Sequence, residues 1–167
     1  MVERNDLRQI KILESLNDAM LGKIAQVAQL KDFETGTVLF RRKERLEYFY
    51  LVLSGNVALE VESSEGGTMT LAQVGPGNSF GISTFIPGTR SSATAECQEP
   101  CRLIVLPGKE MLELFEQDGH LGYAFMLQVM RIFKSRMNQR TRLFLRSLER
   151  HPEIQSAFRD LGHMSPA

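Results

Sequence analysis

The sequence predicts an α+β domain, an antiparallel, jelly-roll-like β-roll of about eight strands flanked by N-terminal helices and a short plus a long C-terminal helix. Three observations carry this. Apolar residues recur at spacings of three and four up to about residue 30 and again after residue 107, the period of a helix with one buried face. Between these stretches the period is two, as in half-buried strands. Gly36, Gly55, Gly66, Gly67, Gly75, Gly77, Gly81 and Gly88 cut this middle part into short, evenly spaced pieces, the pattern of an antiparallel barrel or roll.

The elements follow in order. Ile10, Leu13, Leu16, Leu21, Ile24, Val27 and Ala28 place helices over about residues 10–30. Asn17 with Asp18 can accept the free N–H groups of a first turn, so one helix runs from Asp18 to Leu30. The roll then occupies about residues 33–106. Val38 and Phe40 form one strand and Tyr48 to Leu53 another; Val57, Leu59 and Val61 alternate with Ala58, Glu60 and Glu62 in a half-buried third. Glu65, Gly66 and Gly67 turn a hairpin, and Thr68 to Val74 return with Met69 and Leu71 on the apolar face. Residues 75–78 turn again, and Ser92 to Cys97 and Cys101 to Leu106 make a last pair. Pro107 closes that strand and sits in the first turn of a helix bearing Met111, Leu112, Leu114 and Phe115, stopped by Asp118 and Gly119.

The final helix, from about Leu121 to about Arg150, would be roughly 45 Å long, too long for one small roll to cover. Met126, Met130, Phe133, Met137 and Phe144 fall on one face. An apolar stripe must be buried against something, so it packs on the roll or forms the two-helix seam of a homodimer. Arg131, Lys134, Arg136, Arg140, Arg142, Arg146 and Arg150 make the second half of this helix basic, with Glu149 the only acid among them. Cations near a helix C-terminus complement its dipole, so a solvated charged face accounts for them.

Composition narrows the function. The chain has 167 residues, 43% hydrophobic, with 20 Lys+Arg against 20 Asp+Glu. That suits one soluble domain over 1–150 with a tail over 151–167. At this length about 70% of the unfolded surface can be buried, so neither a disulfide nor a structural metal is needed. Zero net charge gives no whole-molecule attraction to nucleic acid or an anionic membrane. Cys97 and Cys101 have no second ligand pair for zinc, and read as small buried side chains. His120, His151 and His163 lack HExxH spacing, and neither a GxSxG elbow nor a GxxxxGK[ST] loop occurs. No catalytic residues, metal or cofactor are therefore expected, and the chain reads as a non-enzyme. The longest apolar run without glycine, Tyr48 to Leu53, cannot span a bilayer, and the start MVERNDLRQIKI is too charged for a signal peptide; the expected location is the cytoplasm.

Laid end to end, these strings resemble the cyclic nucleotide-binding domain, the family of the bacterial catabolite activator and the regulatory subunits of cyclic-AMP-dependent kinase. The family opening F-x-x-G-x-x-[IL]-F is similar to Phe33, Gly36, Leu39 and Phe40, and Tyr50-Leu-Val-Leu-Ser-Gly55 follows at the family spacing. The likeness continues through Gly75-Pro-Gly77, Phe80-Gly81 and Ser92-Ala93-Thr94 to Cys101-Arg-Leu-Ile-Val-Leu-Pro107, covering about residues 10–150. Lys43 stands where the family usually has glycine.

The resemblance implies that the segment from Gly81 to Thr94 is a phosphate-binding cassette. There a short helix donates backbone N–H groups to a cyclic phosphate, an arginine pairs with its charge, and a glutamate after the glycine accepts from the ribose hydroxyl. The candidate ligand residues are Gly81, Ile82, Ser83, Arg90, Ser91 and Ser92. Ile82 cannot replace the glutamate, and ungapped alignment puts Ser91 at the arginine position, with Arg90 one residue earlier. A loop one residue shorter over Ile86 to Thr89 would instead bring Arg90 to the phosphate. The base contact of the family maps near Asn138 and Gln139.

Three functions follow: a sensor for cyclic AMP or cyclic GMP that signals through its long helix; a degenerate domain that binds no nucleotide and serves dimerisation or docking to a protein partner; and a nucleic-acid-binding regulator. The last is disfavoured, because residues 151–167 are too few for the two helices of a helix-turn-helix.

Overall fold

The computed structural model describes residues 2–63 and 66–150. Glu65 of the expected hairpin turn, the tail 151–167, His151 and His163 lie outside the described residues. The chain divides into two compact units, Met1–Gln128 and Val129–Ala167.

The first unit holds the roll. Helix α1 (Arg4–Arg8) is closed by a capping box between Glu3 and Asp6, and a single 3-10 turn follows over Lys11–Leu13. Helix α2 (Asp18–Val27) starts where expected, with Asn17 Oδ1 accepting from the Met20 N–H at 3.0 Å. It ends three residues before Leu30. Ala28 is already extended, and Gln29–Phe33 form strand β1, paired residue for residue with Val105 to Cys101. The helical spacing of Val27 and Ala28 hides this switch, because Gln29, Lys31 and Asp32 give β1 no apolar alternation to announce it.

Strands β2 (Val38–Phe40), β3 (Tyr48–Ser54), β4 (Val57–Glu62), β5 (Thr68–Val74), β6 (Ser79–Phe80), β7 (Thr94–Cys97) and β8 (Cys101–Pro107) complete two four-stranded antiparallel sheets, ordered β1-β8-β3-β6 and β2-β7-β4-β5. Strand β7 begins two residues after the expected Ser92. The unbroken apolar runs of β3 and β8 have a physical reason: both strands are covered on two faces. Tyr50, Val52, Leu103 and Val105 enter the roll core, whereas Phe49, Leu51, Ile104 and Leu106 are buried on the other face. Opposite Leu59 and Glu60 of β4, strand β5 bulges at Leu71, which has no partner between Ala72 and Thr70, and in β4 Ala58 is fully buried beside Val57.

Met69 and Leu71 do not face the core. They are 54% and 44% exposed. Strand β5 is the edge of its sheet, Leu71 is the residue its bulge leaves unpaired, and Met69 lies opposite Val61, beyond the stretch of β4 that β7 pairs.

Helix α3 (Gly108–Gln117) starts after Pro107, which is its cap and not its first turn, and helix α4 (Gly119–Arg150) takes in Gly119 as its first residue. Asp118 joins the two. Its carboxylate accepts from Lys23 Nζ at 2.6 Å and from the Leu121 N–H at 3.0 Å, and these bonds, the Lys23 bond first, hold its pKa below the usual carboxylate value. A carboxylate depressed by folding stabilises above its unfolded pKa and loses that contribution as pH falls through the folded one. Stability is therefore expected to decline in acid, and Asp118→Asn to flatten that decline in urea unfolding followed against pH. Identical acid limbs for the two proteins would contradict this role.

Candidate functional site

The cassette begins where β6 runs out. Gly81 has φ +88°, and a side chain there would lie 3.1 Å from the Tyr48 carbonyl and 3.3 Å from the Tyr50 ring, so both conformation and space require glycine. A 3-10 helix over Ile82–Phe85 follows at once. Its first N–H groups, those of Ile82 and Ser83, precede any intrahelical acceptor. Thr84 pins it, donating Oγ1–H to the Leu46 carbonyl at 3.0 Å. The chain then turns over Ile86 to Thr89, with Thr89 N–H on the Ile86 carbonyl at 3.2 Å.

Arg90 and Ser91 are both drawn to the turn after β2. Ser91 is buried and donates Oγ–H to the Arg41 carbonyl and its N–H to the Glu44 carbonyl at 2.8 Å, while its own carbonyl accepts from Lys43 N–H at 2.9 Å. Arg90 is exposed, and its Nη1 donates to the Lys43 carbonyl at 2.9 Å. The Ser91 hydroxyl proton is thus used on backbone, and the Arg90 guanidinium rests on the same turn. Ile82 and Ser83 are half-buried and Ser92 is exposed. Lys43 adopts φ +69°, the conformation that glycine usually supplies there.

Behind the cassette the roll interior is aromatic. Tyr50 and Phe80 stack with centroids 5.0 Å apart and planes 7° apart, and Phe40 tilts against both. Burial first, then the neighbouring Tyr48 and Glu47, pushes the Tyr50 phenol up to about 12. Burial and contact with Cys101 likewise push the Cys97 thiol up to about 12, so Cys97 is an inert packing group; Cys101 is buried beside it.

A second aromatic group was not legible in the apolar spacing. Phe85 of the cassette helix lies 5.1 Å from Phe49, 5.6 Å from Phe125 and 6.0 Å from Phe115, and Phe115 and Phe125 are 5.0 Å apart. It ties the cassette to β3, α3 and the start of α4. The buried set Leu121, Gly122 and Phe125 was the available signal, masked by the longer stripe that starts at the neighbouring Met126.

Of that stripe, Met126 is half-buried within the first unit. Met130, Phe133, Met137 and Phe144, in the second unit, are 64%, 60%, 52% and 45% exposed. Asn138 and Gln139 are exposed on the same helix. Among the described residues no group of three His, Cys, Asp or Glu side chains could hold a metal ion, and no helix is long and apolar enough to cross a membrane.

Comparison with known proteins matches this geometry to one family. The model of the cyclic nucleotide-binding domain matches residues 30–118, more than half of the chain. A cAMP-activated global transcriptional regulator of the CRP-like type from Mycobacterium tuberculosis is 27% identical over 94 residues, 56% of this chain and 42% of that protein. A Rhodopseudomonas palustris protein described as a potassium channel is 23% identical over 146 residues, 87% of this chain and 34% of that protein. The chain thus spans well under half the length of these relatives. A solved Geobacter metallireducens protein described as cyclic nucleotide-binding shares 29% identity with TM-score 0.72, over 82% of this chain and 99% of its own. The regulatory domain of Toxoplasma gondii PKA, solved with cAMP, shares 26% identity with TM-score 0.60, over 66% of this chain and 42% of its own. The family model covers more than half of the chain and the fold agrees with the solved relatives, so the chain belongs to the cyclic nucleotide-binding domain family.

Proposed function

We propose that this domain is a non-enzymatic regulatory module that pairs with a second copy through the apolar face of α4, and that its roll does not hold cyclic AMP or cyclic GMP by the family's charged contacts. One observation carries the reading: the Ser91 hydroxyl, at the family's arginine position, is committed to the Arg41 carbonyl, while Ile82 offers no acceptor at the glutamate position. A hydrogen bond to a charged group contributes about 1.5–3 kcal/mol, and leaving an anion without its partner costs about 3–5 kcal/mol. A micromolar site, at about −8.2 kcal/mol, becomes millimolar or weaker on losing both. The regulatory class is supported by the relatives, a transcriptional regulator and a kinase regulatory domain among them.

A sensor reading is favoured by a different observation, the Gly81 turn with the Ile82 and Ser83 N–H groups at the head of a short helix. It requires Arg90 to leave the Lys43 carbonyl and enter the roll. Neighbours on an extended segment point to opposite faces, so that move needs the segment to slip by a residue.

Pairing is tested by sedimentation equilibrium. The full chain is expected to be a dimer, and Met137→Glu, which sets a carboxylate in the middle of the stripe, to weaken it at least about a hundredfold. A wild-type chain that stays monomeric at high concentration would overturn the pairing.

A further inference from the structure

The turn between β2 and β3 carries charge that the nucleotide reading does not use. Arg41, Arg42, Lys43 and Arg45 are all exposed, and Arg90 is laid onto the same turn by its bond to the Lys43 carbonyl. Two acids stand beside these five cations. Glu44 uses its carboxylate to accept the Arg41 N–H at 2.8 Å, and Glu47 is exposed two residues beyond Arg45. The ion pairs among the described residues engage Arg8, Lys23, Arg102 and Lys109, and none of the five. In a chain of zero net charge this is a local concentration of unneutralised cations.

The turn is also rigid. Besides the Ser91 and Glu44 bonds, Arg42 N–H donates to Thr94 Oγ1 at 3.1 Å and Glu44 N–H to the Arg41 carbonyl at 3.2 Å. At its centre Lys43 sits at φ +69°, a conformation that glycine takes freely and a lysine does not. Strain kept at an exposed position invites a functional reason, and here the side chain retained is a cation.

The adjoining loop adds an apolar tip. Ile86 is 50% exposed and followed by exposed Pro87, and the Thr89-to-Ile86 backbone bond folds it back toward Arg90. We propose that these two loops form a docking surface for an anionic phospholipid membrane, the cations lying among headgroup phosphates and carboxylates and Ile86 entering the interface. Stable membrane contact takes two signals, and this surface offers a polybasic patch plus an apolar insertion. Residues 41–45 and 86–90 are exposed throughout apart from the backbone bonds named, which suits a flat sheet of headgroups. A single-stranded nucleic acid would want exposed aromatic rings to stack on, and beside these loops Phe40 and Phe85 are buried while the half-buried Tyr48 ring has Lys31 Nζ over it at 5.3 Å.

The test is partitioning of the full chain onto sedimented vesicles of phosphatidylcholine with and without phosphatidylserine. Binding is expected only with phosphatidylserine, and to fall with salt. Each of Arg42→Gln, Arg45→Gln and Lys43→Gly is expected to weaken it by about fivefold, since a cation near such a surface contributes on the order of a factor of five. Lys43→Gly separates this from misfolding, because it relieves the positive φ and is expected to melt higher while binding less. Absence of binding to phosphatidylserine vesicles, equal binding to pure phosphatidylcholine, or full binding by Lys43→Gly would each overturn the proposal. So would tighter capture of a single-stranded oligonucleotide or a polyglutamate peptide than of the vesicles.

Discussion

Gly55→Ala is expected to destabilise the roll by about 3–5 kcal/mol, the sum of a left-handed backbone imposed on alanine and an overpacked contact. Gly55 turns the chain from β3 into β4 at φ +87°. A Cβ there would lie 2.6 Å from both Cys101 Sγ and the Pro100 carbonyl, and 2.8 Å from Cys101 Cα. Two of these three atoms are backbone at the start of β8, and the Gln98 N–H bond to the Asn56 carbonyl at 2.9 Å holds that backbone against the same turn. No rotamer change can relieve it. The melting temperature should fall by roughly 10 °C, given about 2–4 °C per kcal/mol at this size. Gly36→Ala is the control: φ is +78°, but nothing lies within 4 Å of its Cβ, so only the smaller conformational cost applies. Equal melting temperatures for the two variants would refute the steric argument.

Phe125→Ala is expected to cost about 3–5 kcal/mol, the usual range for emptying a buried aromatic site. Phe125 is fully buried and meets three other rings, Phe49 edge-on at 6.0 Å, Phe85 edge-on at 5.6 Å and Phe115 at 5.0 Å. These rings belong to β3, the cassette helix and α3, so the cavity opens where all of them meet the first turns of α4. Amide exchange should therefore accelerate over both Ile82–Phe85 and Gly119–Gln128, and acceleration in α4 alone would mean that the rings do not couple the two segments. By this path a change in the cassette would be felt at the head of α4.

The strands were legible because their burial obeys simple rules. Tyr48 to Leu53 is apolar throughout since its middle, Phe49 to Val52, is buried on both faces, and β5 has the expected limits because glycines bound it. Their facing was harder to read. Met69 and Leu71 have the right period for a core face, yet β5 is an edge strand that bulges at Leu71, and both are facts of strand pairing. The end of α2 is hidden for a related reason: the partner that makes Gln29–Phe33 a strand is Cys101 to Val105 in β8, far away in the chain. In the cassette, the resemblance singles out Ile82 and Ser91 as the departures from the family pattern. It did not show that Arg90 and Ser91 are bound to the Arg41–Glu44 turn, because those bonds go to carbonyl oxygens, which every residue has.

Isothermal titration of the purified chain with cyclic AMP and with cyclic GMP tests the altered cassette most directly. The Ser91 and Ile82 geometry leads to no saturable heat at micromolar nucleotide. A one-to-one isotherm with micromolar affinity for either ligand would contradict it, and would mean that Arg90 leaves the Lys43 carbonyl to hold the phosphate.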